Sequence, residues 1–256
     1  IQYQLGDAVS MLNRNKNFII RSLIAPCYSS PSFDSSKVTE AVFGECVEVN
    51  DTKDDWLYIR QEDGYTSWVK EFYGTFEKSS ASCNYIVLDK HPLPFGSRVS
   101  KVGDDFITIN GDTYIYNNKP VKILNAMNTN DVLKYARSLL GSPYRWGGKT
   151  SGGFDCSGFV QTIFLLLGLL LPRDSGAQSK FFHDSRIDAG ESSPGDLHFF
   201  GKDGKVSHVG ISSGGFNLIH CQGWVKEESF DNSESGNKKL RDMYMHTCSV
   251  SVNLSK

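Results

Sequence analysis

The stretch GGFDCSGFV, residues 152–160, places a cysteine between an aspartate and a serine, behind a glycine-rich loop and ahead of an apolar run. The loop is GSPYRWGGKTSGGFD, 141–155. The apolar run has helical spacing, predicting a helix from Cys156 to about Leu167 with Phe159, Val160, Ile163, Phe164 and Leu167 facing inward. Cys156 then occupies the first turn. Free N–H groups and positive dipole character there lower a thiol pKa and favour the thiolate, and the same N–H groups suit an oxyanion. A nucleophile needs that placement and a structural thiol does not. Free cysteine is nonetheless among the most buried residue types, so position alone leaves both readings standing.

The histidines bear on the choice. KVSHVGISS (205–213) and GFNLIHCQG (215–223) read as two strands around a tight turn. With Ser213-Gly214-Gly215 as the turn, 212 pairs with 216, 210 with 218, and 208 with 220. His208 and His220 would then lie directly opposite each other, Cβ atoms roughly 4.5–5.5 Å apart, with Val209, Ile211 and Ile219 on the other face. Two paired imidazoles suit a base and its orienting partner. Two polar residues on a solvated face is the bland alternative.

Working outward, TNDVLKYARSLLG (129–141) has Thr129 or Asn130 as N-cap, an apolar stripe of Val132, Leu133, Ala136, Leu139 and Leu140, and Gly141 as the stop. PGDLHFF (194–200) adds another strand. Helices first and an antiparallel run afterwards read as an α+β domain over 128–256. Residues 17 to about 125 differ in texture. Short alternating runs such as NFIIRSLI, CVEVND, WLYIRQ, NYIVLD and TYIYNN are punctuated every eight to twelve residues by Gly, Asp and Asn, the pattern of small all-β barrels. GTFEKSSASCN (74–84) reads as a linker, giving barrels over 17–75 and 82–125 behind an arm of residues 1–16.

Composition narrows the function classes. The chain has 256 residues, 39% of them apolar and 22% charged, with formal net charge −2. This is ordinary for a globular protein, offers no basic field for nucleic acid, and its longest apolar run, Phe164 to Leu171, is too short to span a bilayer. Cysteines at 27, 46, 83, 156, 221 and 248 form no CxxC pair. If Cys156 is a working thiol, five remain, an odd number that points to a reducing, cytoplasmic compartment, with export and a removed leader as the alternative. A zinc site from Cys156, His208, His220 and Cys221 is disfavoured because neighbours in a strand point to opposite faces.

DCSGFV, then SHVGI, then an apolar strand ending LIH, together with GSPYRWGG, LPRDSGAQ and PGDLHFF, resemble the NlpC-type peptidases, papain-like cysteine hydrolases of bacterial cell-wall peptides. The resemblance implies Cys156 as nucleophile, His208 as general base and His220 as the residue orienting it, with no metal or organic cofactor. His198 stands where that family usually has an apolar residue and reads as structural. EAVFGECVEV…DDWLYIRQEDGYTSWVKEFY (40–73) resembles a bacterial SH3-like domain, with a weaker second copy behind it. SH3-like barrels ahead of such a domain resemble the dipeptidyl-peptidase VI type, γ-D-glutamyl-L-diamino acid endopeptidases. These act on murein peptides carrying a free N-terminal L-Ala, in peptidoglycan turnover or recycling. The resemblance assigns the amine pocket to Asp155, Ser157, Asp174 and Ser175, with Tyr65 and Glu45 contributed by the first barrel; an ammonium calls for such acceptors. Alternatives are that Asp174 merely caps a helix and that Tyr65 packs in its barrel. Arg173, ahead of the Asp-Ser pair, reads equally as the partner of a carboxylate or as a surface charge. Tyr144 and Trp146 are expected to pack, and Trp224 to line the cleft. Rival functions are an amidase or acyltransferase using the same triad, and an inert wall-binding protein.

Overall fold

A computed structural model describes residues 17–76, 85–88, 93–102, 105–107, 113–114, 121–122 and 129–250. The arm at 1–16 and residues 77–84 of the expected linker lie outside them, as do the side chains that would cap the helix at 129.

The first sheet contains β1 (Asn17–Ile20), β2 (Ile24–Tyr28), β3 (Lys37–Val42), β4 (Cys46–Lys53), β5 (Trp56–Arg60), β6 (Thr66–Lys70) and β7 (Gly74–Phe76), in the order β3-β2-β6-β5-β4-β1-β7. Alternation makes its core: Ala25 and Cys27 from β2, Leu57 and Ile59 from β5 and Phe18 from β1 turn inward together. The second sheet is smaller. It comprises β8 (Tyr85–Ile86), β9 (Arg98–Val102), β10 (Asp105–Ile107), β11 (Thr113–Tyr114) and β12 (Val121–Lys122), ordered β11-β10-β9-β8-β12. The two all-β units touch where the β3–β4 turn meets β9. Arg98 N–H donates to Phe43 O at 2.8 Å, and Phe43 packs with Val87, Leu93 and Val99.

The third unit opens with α1 (Thr129–Ser138), whose Val132, Leu133 and Ala136 are buried, as is Leu139 just past its end. Leu140 departs from the expected stripe at 43% exposure, because the helix has ended at Ser138. A hairpin of β13 (Lys149–Thr150) and β14 (Gly153–Phe154) leads into α2 (Cys156–Leu165), and α3 (Ser175–Phe181) comes next. The remainder forms an antiparallel sheet, ordered β15-β20-β16-β17-β18-β19. Its strands are β15 (Arg186–Ile187), β16 (Leu197–Lys202), β17 (Lys205–Gly214), β18 (Asn217–Gln222), β19 (Trp224–Ser229) and β20 (Tyr244–Cys248), with α4 (Lys238–Met243) before the last.

The position of α2 organises the molecule. Its expected inward residues are buried, but so is every other residue from Cys156 to Leu165. A helix buried all round has neighbours on all sides. One side packs on β17 and β18 through Phe159, Val160, Ile163 and Phe164. The polar side is covered by the first barrel and the hairpin: Gln161 Nε2 donates to Asp63 Oδ2 at 2.6 Å, and Thr162 Oγ1 to Lys149 O at 3.0 Å. The catalytic-type helix is thus sealed by the all-β region.

Gly44 tests that packing. Its φ is +81°, and an added Cβ would lie 2.1 Å from Arg98 O. Gly44→Ala is expected to cost about 1–3 kcal/mol, read as a fall in Tm, whereas Gly64→Ala, strained at φ +80° but with open space around it, should cost less.

Candidate active site

Asp155 starts α2 as its N-cap, accepting from Gly158 N–H at 2.7 Å and from Gly147 N–H of the glycine-rich loop at 3.0 Å. Arg173 is 2% exposed rather than a surface charge. Its Nη1 donates to Asp155 Oδ1 at 3.0 Å and to Ser157 Oγ at 3.1 Å, its Nη2 to the other carboxylate oxygen, and its Nε to Thr39 Oγ1 of the first barrel at 2.8 Å. Both oxygens of Asp155 are therefore engaged internally, which is the condition for burying an ion pair without large loss.

Cys156, one residue on, is 8% exposed. Its thiol departs from the expectation set by the helix start. Burial, reinforced by the Asp155 carboxylate, pushes it up to about 11, outweighing the backbone N–H groups of Val209 and Ser157 that act in the other direction. Desolvation beats the end-of-helix effect because the first turn is covered. The contact with the Val209 N–H also locates the sulfur against β17, at the residue that follows His208 along the strand.

The two histidines meet, but not in the expected register. Observed pairs are Ile211↔Ile219, Ser212↔Leu218 and Gly214↔Asn217, with a bulge between Ser212 and Gly214. The turn is two residues tight, and the bulge restores the face, so the strands slide by two residues and both imidazoles stay on one side. Gly210, not His208, faces His220: a Cβ at 210 would lie 3.0 Å from His220 Cβ and 2.6 Å from Leu218 Cδ1. The missing side chain lets the His220 ring lean diagonally to His208, and His208 Nε2 to His220 Nδ1 is 2.8 Å. Val209, Ile211 and Ile219 do face the opposite core. His220 Nε2 lies 2.7 Å from Glu228 Oε2, a residue the sequence reading passed over. Its signal was present: the turn at Gly223 pairs Gln222 with Trp224 and His220 with Lys226, and so puts 226 and 228 on the histidine face. Burial lowers the imidazoles, His208 to about 3. Burial thus favours the neutral form of each ring, with Glu228 opposing it at His220. Nδ1 is the ring nitrogen of His208 not used by His220.

A second cluster lies between the units. The β5–β6 turn carries Asp63 and Tyr65; Asp63 Oδ1 accepts from Tyr65 N–H at 2.9 Å. Tyr65 is partly buried, and burial and then the neighbouring Asp174 carboxylate raise its phenol pKa. It therefore stands at the domain junction. Asp174 precedes α3, and its carboxylate makes no side-chain cap bond to that helix. Burial raises its pKa; Arg173 opposes, and Asp155 and Asp63 add to it. Ser175 opens α3 beside it. Glu45 sits behind, buried, accepting from Val42 N–H at 3.0 Å and from Gln61 Nε2 at 2.7 Å, and so braces the turn that carries Tyr65. Asp63, from this same turn, is the member sequence reading missed.

The three aromatic residues singled out in the sequence differ in exposure. Trp146 is 68% exposed and does not pack as expected. Trp224 is half-exposed, and Tyr144 stands near Cys156, burial and then that thiol raising its phenol to about 12. His198 is buried with Nδ1 2.8 Å from Thr247 Oγ1, a structural contact. Both ring nitrogens of His220 are engaged by side chains, and Cys221 Sγ donates to Phe154 O.

Comparison with known proteins places this geometry. Residues 141–244 match the model of the NlpC/P60 family, and residues 27–71 that of the bacterial dipeptidyl-peptidase Sh3 domain. The chain is 29% identical to a gamma-D-glutamyl-L-lysine dipeptidyl-peptidase of Bacillus cereus, over 71% of this chain and 66% of that protein. It is 28% identical to the protein of the same name from Bacillus subtilis, over 71% of each. The alignments thus span about two thirds of those relatives' length. A crystal structure of an NlpC/P60 family protein from Bacillus cereus superposes with a TM-score of 0.77 at 22% identity, covering 91% of this chain and 99% of that one. The fold is shared across all three units: a papain-like domain behind an all-β SH3-like region.

Gly210→Ala should push His220 away from His208. The expected result is a fall in turnover on the order of 10²-fold with a stability loss of only about 1–3 kcal/mol, measured by steady-state kinetics beside thermal unfolding.

Proposed function

We propose, for a chain that carries an NlpC/P60 cysteine-peptidase domain behind a bacterial SH3-like domain, that it hydrolyses the γ-D-glutamyl to L-diamino acid bond of murein stem peptides bearing a free N-terminal L-Ala. The observation that carries this reading is the junction cluster. Asp63 from the barrel and Asp174 from the catalytic unit converge beside Tyr65, while the Arg173 guanidinium next to Asp174 is already committed to Asp155. The surplus is negative, in a partly desolvated cleft, and a peptide ammonium is the cation that fits it. Asp155 and Ser157 back this pocket, Glu45 braces it, and Ser175 borders it. The names of the two Bacillus relatives support the choice of bond.

In this mechanism the Cys156 sulfur attacks the γ-carbonyl carbon of D-Glu as its proton passes to His208 Nδ1. Because burial keeps both groups neutral at rest, transfer accompanies attack and creates the ion pair only when substrate is present. Backbone N–H groups at the start of α2 hold the oxyanion. His208 then protonates the departing α-amine of the diamino acid, and water releases the dipeptide from the thioester. His220 holds the base in place throughout.

The test compares L-Ala-γ-D-Glu-L-Lys with its N-acetylated twin. Wild type should cleave the free-amine peptide at least about 100-fold faster, since a site built for a polar group rejects an analogue lacking it, and Cys156→Ala should cleave neither. Equal rates on both peptides would discard the amine pocket. The pH dependence has a definite sign: Asp174 must be ionised to hold an ammonium, so affinity is present above its pKa and lost below it. Because that pKa is raised, KM for the free-amine peptide should begin to climb above the ordinary carboxylate range as pH falls, measured by steady-state titration from pH 8 downward.

A further inference from the structure

The carboxylate of Glu228 fixes a proton order along the histidine pair. A carboxylate only accepts, so the nitrogen facing it at 2.7 Å, His220 Nε2, carries the hydrogen. Neutral His220 then presents a bare Nδ1, which can only accept, so His208 Nε2 carries the hydrogen of the 2.8 Å bond. Neutral His208 is left with its lone pair on Nδ1. Asn237 Nδ2 donates to Glu228 Oε2 at 3.2 Å and Lys226 Nζ lies 3.2 Å from the same oxygen, so the carboxylate is itself held in place. His220 is fully buried and Glu228 only partly so.

We propose that Glu228 is a positioning residue of the relay: it dictates the tautomer of His220 and, through it, of His208, and its charge favours the imidazolium that forms as Cys156 attacks. This rests on the reading of Cys156 and His208 as nucleophile and base. The step balances within the relay. The proton leaves Sγ for His208 Nδ1, His208 keeps its Nε2–H bonded to His220, and no proton leaves His220 or Glu228. The other charged groups acting on the relay are Lys226 of β19, which opposes imidazolium formation, and Asp155 and Arg173 at the start of α2, which act on the thiol with opposite signs. Neutral Tyr144 and Cys221 adjoin the sulfur.

The test avoids any choice of peptide. Iodoacetamide alkylates Cys156: a C–S bond forms, iodide leaves, and the thiol proton passes to His208 and then to water. The rate at Cys156 is followed from pH 5 to 10 by mass spectrometry of its peptide, apart from the chain's five other cysteines. Glu228→Gln keeps an acceptor for His220 and loses the charge. It should slow alkylation about tenfold at pH 7, the size of one partly screened charge acting across the His220 ring. The deficit should close towards pH 10, where hydroxide removes the thiol proton without help from His208. Glu228→Met, which also frees the tautomer, should be slower still at pH 7, and Lys226→Gln should be faster than wild type. An unchanged rate in Glu228→Gln, a deficit independent of pH, or the same slowing in Lys226→Gln would overturn the proposal. His208→Ala separates the two readings. If it does not slow Cys156 at pH 7, the thiol–imidazole pair itself is wrong; if it does and Glu228→Gln does not, only the role of Glu228 fails.

Discussion

The buried pair between Arg173 and Asp155 holds three parts of the protein in one place. Asp155 caps α2 and draws in the loop at Gly147; Arg173 holds Asp155, Ser157 and, across the domain boundary, Thr39 of β3. Such a pair contributes little net stability when intact, yet removing one partner strands a charge and costs about 3–5 kcal/mol. Its value lies in geometry. The first turn of α2, which carries Cys156, cannot move without disturbing the barrel. A second tie runs parallel to it: Lys149 N–H donates to Glu40 Oε2 at 3.1 Å, and its ammonium lies 3.8 Å from Glu45 Oε1.

This arrangement explains why the thiol is hard to ionise. A helix start open to water would favour thiolate; here the barrel and loop cover it, and burial wins. His208 is kept neutral by its own burial within the sheet, against Phe200 and His220. A site that resists either lone charge fits the proposed mechanism, in which the relay ending in Glu228 supports the charged pair only at the moment of attack.

Much of this was legible in the residues. Alternating runs before 125 and helical spacing after 129 gave the two textures, and Cys156, His208 and His220 stood out by position and motif. The exact register of the β17–β18 hairpin did not, because a bulge at Ser213 compensated a tighter turn, and single-residue irregularities carry no periodic signal. Arg173 was left open between a carboxylate partner and a surface charge because a charge beside an Asp-Ser pair looks the same in sequence whether it faces water or a carboxylate from a loop 18 residues upstream. The buried polar face of α2 was equally invisible: helical spacing alone does not mark Gln161 and Thr162 as buried, because the groups that satisfy them come from the barrel and the hairpin. Glu228, by contrast, was within reach of the pairing argument already applied to the preceding hairpin.

The most direct measurement is hydrogen–deuterium exchange on Arg173→Met beside wild type. If the ion pair joins the catalytic helix to the barrel, the amides of Gly147, Gly158 and Lys149 should lose protection together, although they lie on a loop, a helix and a hairpin and each donates to a carboxylate rather than to Arg173. Loss of protection confined to residues adjoining 173 in sequence, with those three amides exchanging as in wild type, would contradict the account.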